Sequence, residues 1–149
     1  MTVTVEQLLK MEQKQLDDLF SAHQAGPIPK GEAEGTAIIA PGTAISGAVA
    51  KMISLFAWQG KVFDLIDAEH GTLRNNILPF GLKAIVAQVY KGPSLHDQKE
   101  CIVLDYSDTS TVAKWVRDEI REIQPGLYLG KVYWDNESLI HFALEFPRR

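Results

Sequence analysis

The sequence predicts an α+β protein built on a strongly curved antiparallel sheet that closes, or nearly closes, into a barrel with about three helices. From about residue 61 onward, short stretches rich in β-branched and aromatic residues alternate with turn residues at hairpin spacing. Short connections between consecutive strands favour antiparallel pairing, and a long antiparallel sheet has to curl or close to protect its edges.

Length and composition limit the class of protein. A chain of 149 residues suits one domain, covering residues 1–149. The net charge of −4 argues against nucleic acid as a partner. The single cysteine, Cys101, excludes a disulfide within the chain and fits a reducing compartment. No apolar stretch is long enough to span a bilayer and the N-terminus does not resemble a signal peptide, so we expect a cytoplasmic protein.

Helical periodicity marks three segments. The first begins with a capping box formed by Thr4 and Gln7. The third has an apolar stripe that includes Trp115, Val116 and Ile120, and a charged face that we expect to be solvated. The resulting organisation is a helix over 1–24, a loop over 25–34 and a barrel over 35–149, with helices at about 44–58 and 110–123.

The segments predicted as strands share apolar and β-branched residues with turn residues between them. They read GTAIIA, KVFDLID, TLRNNIL, LKAIVAQVY, CIVLDYS, LYLGKVYW and LIHFALEF, the last two joined by DNES. Their order, and the closing segment GLYLGKVYW…HFALEF above all, resembles the calycin or lipocalin-like barrel proteins, especially the small cytosolic bacterial members. An NTF2-like α+β cone is the alternative. Both resemblances imply a concave sheet around an internal cavity.

Sequence motifs for specific chemistry are absent. The four histidines do not pair with each other or with cysteine at metal-ligand spacing, and no phosphate-binding glycine motif or nucleophile motif occurs. We therefore expect no metal and no cofactor.

Polar and aromatic residues within the predicted strands are the candidate site. If burial shifts their pKa values towards neutrality, four of them are candidate acids or bases: Asp64, Asp105, His141 and Glu145. Five more are candidate ligand-binding residues: Arg74, Tyr106, Tyr128, Tyr133 and Trp134. The alternative is that these residues form the outer face of the sheet.

Strand parity in LIHFALEF decides between these readings. One set of alternating side chains is apolar and either lines the cavity or packs beneath helices: Ile140, Phe142, Leu144 and Phe146. His141 and Glu145 belong to the other set and point to the opposite face of the sheet. Four residues of strand span about 13 Å, so those two side chains cannot bond directly. A tight hairpin predicts cross-strand contacts of Lys131 with Glu145 and of His141 with Tyr133.

Three functions are consistent with these patterns. The first is binding of a small hydrophobic or amphipathic molecule in an internal barrel cavity. The second is a cofactor-independent isomerase, cyclase or lyase that uses acid–base residues in that cavity. The third is an assembly module that forms a homodimer through the sheet or a helix. Converging titratable side chains would favour the enzyme, and an exposed apolar patch would favour assembly.

Overall fold

Eight antiparallel strands close into a barrel. The computed structural model describes residues 3–38, 61–75, 85–106 and 116–147. Each strand pairs with its neighbours in sequence, and β1 pairs with β8 to complete the ring. The strands are β1 Gly31–Ile38, β2 Lys61–Leu65, β3 His70–Asn75, β4 Ile85–Pro93, β5 Glu100–Asp105, β6 Val116–Gln124, β7 Leu127–Trp134 and β8 Glu137–Glu145. The predicted closed antiparallel barrel is confirmed.

The N-terminal segment forms two short helices, α1 Val5–Leu9 and α2 Gln13–Ser21, and not the single helix predicted over 1–24. The capping box predicted at the first helix is present. A second capping box, at the start of α2, was not predicted. In it, the Gln15 side chain accepts a 2.9 Å hydrogen bond from the backbone N–H of Glu12. In the part of the chain that the structure describes, neither helix is long and apolar enough to cross a bilayer.

Strand β1 begins inside the segment predicted as a loop over 25–34. Glycine, alanine and glutamate are poor strand formers, so the stretch Gly31–Glu34 carries no strand signal of its own. Pairing with both β2 and β8 supplies the backbone partners that hold it extended. The helix predicted at about 44–58 lies outside the described residues.

The helix predicted at 110–123 is wrong over its described part, because residues 116–124 form strand β6. Val116, Asp118 and Ile120 face the barrel interior, whereas Glu119 and Arg121 face outward and are covered by other elements. Because β6 is buried on both faces, its sequence lacks the alternation of apolar and polar residues that is typical of a strand. The spacing of its apolar residues instead matches that of an amphipathic helix. Pairing with β5 and β7 overrides the helical propensity of the segment.

The barrel interior is built from one parity of every strand. Phe142 and Leu144 of β8 face inward, so the apolar parity of LIHFALEF lines the interior. The buried members of this cluster are Ala25, Ile28, Ala33, Phe63, Leu73, Ala87, Val89, Ile102, Leu104, Tyr106, Val116, Ile120, Tyr128, Phe142 and Leu144.

A second apolar layer lies between the helices and the outer surface of the barrel. Leu8 of α1 and Leu16 and Phe20 of α2 are fully buried in it. They pack on outward side chains of β1 and β5–β8: Ile38, Cys101, Val103, Ile123, Leu127, Leu129 and Ala143. Cys101 has a free thiol and is buried here as a small apolar side chain. The helices therefore cover one side of the barrel, and Tyr90 of β4 packs at the edge of this layer.

The hairpin between β7 and β8 turns on Asp135 and Asn136, both with positive φ. This is the backbone that a two-residue hairpin loop needs. A bulge next to Tyr133 then shifts the register, which places Lys131 opposite His141 and Leu127 opposite Glu145. The predicted contacts of Lys131 with Glu145 and of His141 with Tyr133 are therefore wrong.

Candidate functional site

A carboxylate and a phenol lie together inside the barrel. Asp118 of β6 is opposite Leu104 of β5, so it has the inward parity, and it is almost completely buried. The Tyr106 hydroxyl, at the end of β5, is 3.4 Å from Asp118 Oδ2. Asp118 is one of six polar or charged residues that are buried in the described part of the chain. The strand register places its side chain among the apolar side chains of the barrel interior. Pattern reading missed Asp118, because it assigned this segment to a solvated helix face.

One end of the interior is closed by aromatic rings and the linker after α2. The Phe146 ring centroid lies 5.6 Å from that of Phe63 and 5.5 Å from that of Tyr128. The Tyr128 hydroxyl donates a 2.7 Å hydrogen bond to the Pro27 carbonyl. Burial, followed by the nearby Glu122 carboxylate, raises the pKa of Tyr128. This phenol therefore stays protonated and anchors the linker.

The four predicted acid–base residues do not meet in the interior. Asp64 and Glu145 are exposed, and the register places both on the outward parity. Asp105 also faces outward and accepts a 2.7 Å hydrogen bond from the Tyr90 hydroxyl. Burial, followed by this contact with Asp105, raises the pKa of Tyr90 to about 12. His141 is outward but buried beneath α2.

The five predicted ligand-binding residues divide between the two faces. Tyr106, Tyr128 and Trp134 pack with the interior cluster. Arg74 is exposed on the outer surface of β3. Tyr133 faces outward, where its ring centroid lies 5.9 Å from Lys131 Nζ.

A buried polar cluster lies between α2 and the outer surface of β7 and β8. Lys131 Nζ and His141 Nε2 both donate to the same oxygen, Asp17 Oδ1, and the histidine distance is 2.9 Å. The lysine and histidine side chains are each 2% exposed, and that of Asp17 is 24% exposed. Asp17 was not among the predicted residues, because a single acid on a mostly polar helix face gives no signal.

The cluster shifts the pKa values of its members. Burial alone would raise the pKa of Asp17, but the hydrogen bonds and charges of Lys131 and His141 outweigh it and lower that pKa. Burial, with the Lys131 charge, lowers the pKa of His141 to about 4. His141 is therefore neutral near pH 7, with its proton on Nε2.

A second buried network fastens the loop between β4 and β5. The Arg121 guanidinium is fully buried and forms two hydrogen bonds with Asp97, at 2.7 and 2.8 Å. It also donates to the Phe20 carbonyl and lies over the Phe20 ring. Glu119 accepts hydrogen bonds from the Ser94 hydroxyl at 2.6 Å and from the Leu95 backbone N–H at 2.8 Å. With these partners in place, both charges act as structural anchors.

An open groove of about 450 Å³ lies where β1 and β8 meet the turn between β6 and β7. Its lining includes Glu32, Glu34, Glu145 and Phe146. Glu34 and Glu145 are opposite each other in the register, so this rim is acidic. Among the described residues, no group of three or more histidine, cysteine, aspartate or glutamate side chains is arranged to hold a metal ion.

Comparison with known proteins places the chain at the level of fold. The structure defines an eight-stranded antiparallel barrel with a buried carboxylate–tyrosine pair inside. No protein-family model matches the sequence, and no curated protein does. The crystal structure of a protein from Thermomonospora curvata is similar, with a TM-score of 0.58 and 16% identity, covering 93% of this chain and 90% of that chain. At this identity the likeness shows a shared fold.

Proposed function

We propose that this protein is a calycin-like barrel that binds a small hydrophobic or amphipathic molecule in its interior. The observation that carries the proposal is the Asp118–Tyr106 pair within an apolar interior. Binding sites for small molecules combine apolar walls with a few polar groups that fix orientation. The interior of an eight-stranded barrel is either filled by side chains or holds one small ligand, and the polar pair favours the second case.

The cost of burying Asp118 supports this reading. Placing a carboxylate inside a protein costs several kcal/mol that hydrogen bonds and neighbouring charges have to offset. An apolar residue at this position would pack the interior without that cost. A polar pair facing the interior is therefore expected where the barrel has to recognise a polar group.

The same pair supports a second candidate, a cofactor-independent isomerase, cyclase or lyase. A carboxylate in hydrogen-bond reach of a tyrosine hydroxyl offers a proton acceptor and a proton donor at one point. Asp64, Asp105, His141 and Glu145 have the outward parity, so this enzyme would use Asp118 and Tyr106 in their place. Its test is chemical conversion of the bound molecule, which a simple binder releases unchanged.

Native mass spectrometry of the full chain purified from its own host tests the proposal. We expect a folded species that carries the extra mass of a small organic molecule, lost when the protein is unfolded. The same spectrum gives the oligomeric state and so tests the predicted homodimer. A folded protein that neither retains nor takes up any small apolar molecule would contradict the proposed function.

A pair of neighbouring substitutions in β4 locates the binding site. Ala87 is buried on the interior face with Leu104 and Tyr106, whereas Gln88 is exposed on the outer face. We expect Ala87→Phe to fill the interior and reduce binding by at least about tenfold, while Gln88→Phe leaves it unchanged. Circular dichroism of both variants would confirm that each is folded.

A further inference from the structure

We infer that α1 and α2 form a flap that acid releases from the barrel, and that the buried contact of Asp17 with Lys131 and His141 is its pH-sensitive fastening. The helical flap consists of residues 4–24. The inference concerns the outer surface of the barrel, so it does not depend on what the interior binds.

The two ends of the helical flap are attached close to each other on β6. At its beginning, the Gln124 side chain donates to the Val3 carbonyl and accepts from the Val3 backbone N–H, both at 2.7 Å. At its end, the Glu122 backbone N–H donates a 3.1 Å hydrogen bond to the Ala25 carbonyl. Attachment points so close together form a hinge, so the segment between them can swing without moving the strand that holds it.

The barrel is complete without the helical flap. Strand–strand pairing closes the ring, and in the described part of the chain the interior cluster contains no residue of α1 or α2. The buried side chains of the helices belong to the separate apolar layer on the outside of the barrel. Release of the flap would therefore leave the interior in place. It would uncover apolar side chains of the outer surface: Ile38, Val103, Leu129 and Ala143.

The groups that face His141 come from every element packed against it. Asp17 of α2 accepts its Nε2 proton, and Lys131 is opposite it on β7. The apolar Ile38 is opposite it on β1, and His96 of the β4–β5 loop is close enough to act on its charge. A protonated His141 would be a second buried cation beside Lys131, and the two cations would share one carboxylate.

This arrangement couples proton uptake to release of the helical flap. In the closed flap, burial and the Lys131 charge lower the pKa of His141 to about 4, whereas an open flap exposes the ring to water and returns its pKa to the ordinary 6.5. The open form therefore binds the proton more strongly, and its population rises as pH falls through this interval. The neighbouring groups do not oppose the change. Asp17 stays ionised because its pKa is lowered, and Tyr133 stays protonated because burial raises its pKa.

Hydrogen exchange of the full chain, measured by mass spectrometry at pH 7 and pH 5, tests the inference. After correction for the intrinsic pH dependence of exchange, we expect the protection of the α2 amides to fall about 20-fold between these pH values. Dilute urea should change this protection little, because release of a flap exposes little surface. The slowest amides of β7 and β8 should be better protected at both pH values and should respond strongly to urea, because they exchange only when the barrel unfolds.

Two histidine variants identify the fastening. His141→Gln keeps an N–H donor for Asp17 but cannot titrate, so the pH dependence of α2 protection should disappear. His96→Gln is the matched variant, because His96 also contacts the helical flap, through a 2.8 Å hydrogen bond between its Nε2 and Ser21 Oγ. That contact is exposed, so the fall of about 20-fold should remain in His96→Gln.

An α2 protection that does not change between pH 7 and pH 5 would overturn the inference. Equal protection of α2 and the slowest barrel amides would overturn it too, because the helices would then leave only when the whole molecule unfolds. A pH response that persists in His141→Gln, or disappears in His96→Gln, would show that the fastening lies elsewhere. If His141→Gln does not fold, Asp17→Asn tests the same contact: its α2 protection at pH 7 should be about 100-fold lower than in the wild type, and equal protection would contradict the inference.

Discussion

Asp17 connects α2 to the barrel through two buried donors. Lys131 and His141 lie on adjacent strands, and both donate to the same oxygen of this carboxylate. Each donor is almost fully buried, so neither can exchange Asp17 for water without a movement of α2. The stability of this part of the molecule therefore depends on one partly exposed side chain.

Asp17→Asn should lower the free energy of unfolding by about 3 kcal/mol, because it leaves the buried ammonium group of Lys131 without its counter-charge. Asp18→Asn is the matched control. Asp18 is next in sequence, but it is exposed and pairs with Lys14 on the helix surface, so its loss should cost at most about 0.5 kcal/mol. Urea unfolding of both variants at pH 7 checks this difference. Equal effects would show that the buried cluster contributes no more than the surface pair.

The pKa of His141 predicts how stability depends on pH. Its folded value of about 4 lies below the ordinary value of 6.5, so the unfolded chain binds the proton more strongly. The free energy of unfolding should fall by roughly 3 kcal/mol as pH decreases from about 7 to 4. The lowered pKa of Asp17 acts in the same direction at still lower pH.

Urea unfolding at a series of pH values measures this dependence. His141→Gln, which cannot titrate, should flatten the profile between pH 4 and 6.5. His70→Gln is the control, because His70 is exposed at the start of β3. A wild-type profile that is flat in this range would contradict the assignment of a neutral buried histidine.

The sequence could indicate two members of the buried cluster, Lys131 and His141, but not that they contact Asp17. His141 stood out because it interrupts an apolar strand, and Lys131 and Tyr133 lie in a strand of clear pattern. Asp17 is 114 residues away from Lys131 and 124 from His141 along the chain. Contacts at such separations depend on where a helix docks, and a local pattern does not contain that information.

At the scale of the strand, β7 requires a glycine where β8 packs an aromatic ring across it. Gly130 is opposite Phe142, and a Cβ atom at residue 130 would lie 2.2 Å from the Phe142 ring. The ring covers the backbone of the neighbouring strand, and the absence of a side chain permits this close approach.

Gly130→Ala should therefore lower the free energy of unfolding by about 1–3 kcal/mol through overpacking. Gly92→Ala in β4 is the control, because its added Cβ would meet Val103 at an ordinary 3.5 Å. That variant should be neutral or stabilising by about 0.5 kcal/mol, since alanine restricts the unfolded chain. Thermal unfolding of the two variants checks the order, and a Gly130→Ala protein as stable as wild type would contradict it.

Elements were predictable where strand-forming residues and turn residues mark them clearly. Strands β7 and β8 were found close to their observed bounds because aromatic and β-branched residues fill them, although both faces of each strand are largely buried. Strand β6 was taken for a helix, because Arg121 and Glu119 occupy a face that proved to be buried. A charged residue normally indicates solvent. The groups that permit burial here, the Phe20 carbonyl of α2 and the Asp97 carboxylate and Leu95 N–H of the β4–β5 loop, lie far away in sequence.

At the scale of the whole molecule, pairing of β1 with β8 closes the ring and joins the two ends of the described barrel. Barrel closure could be predicted, because many consecutive antiparallel strands need their edges protected. The strand positions that meet at the seam could not, since Ala37 and Phe142 become neighbours only after the complete ring has formed.

Refolding should be slow for a chain of this size, in milliseconds to seconds, because closure requires contacts between residues distant in sequence. Stopped-flow tryptophan fluorescence after dilution from urea measures the rate. The chain has seven prolines, so a double-jump experiment is needed to separate slower isomerisation phases. Complete refolding within microseconds would contradict a barrel closed through its terminal strands.

The reactivity of the single thiol can measure how often α1 and α2 move away from the barrel. Cys101 lies fully buried beneath α1 and α2, and burial, followed by the Glu119 charge, raises its pKa to about 12. A thiol in this environment does not react with alkylating reagents while the helices stay in place. The alkylation rate in native buffer can be followed by mass spectrometry without an engineered label. It equals the opening rate at high reagent concentration and is proportional to the open population at low concentration.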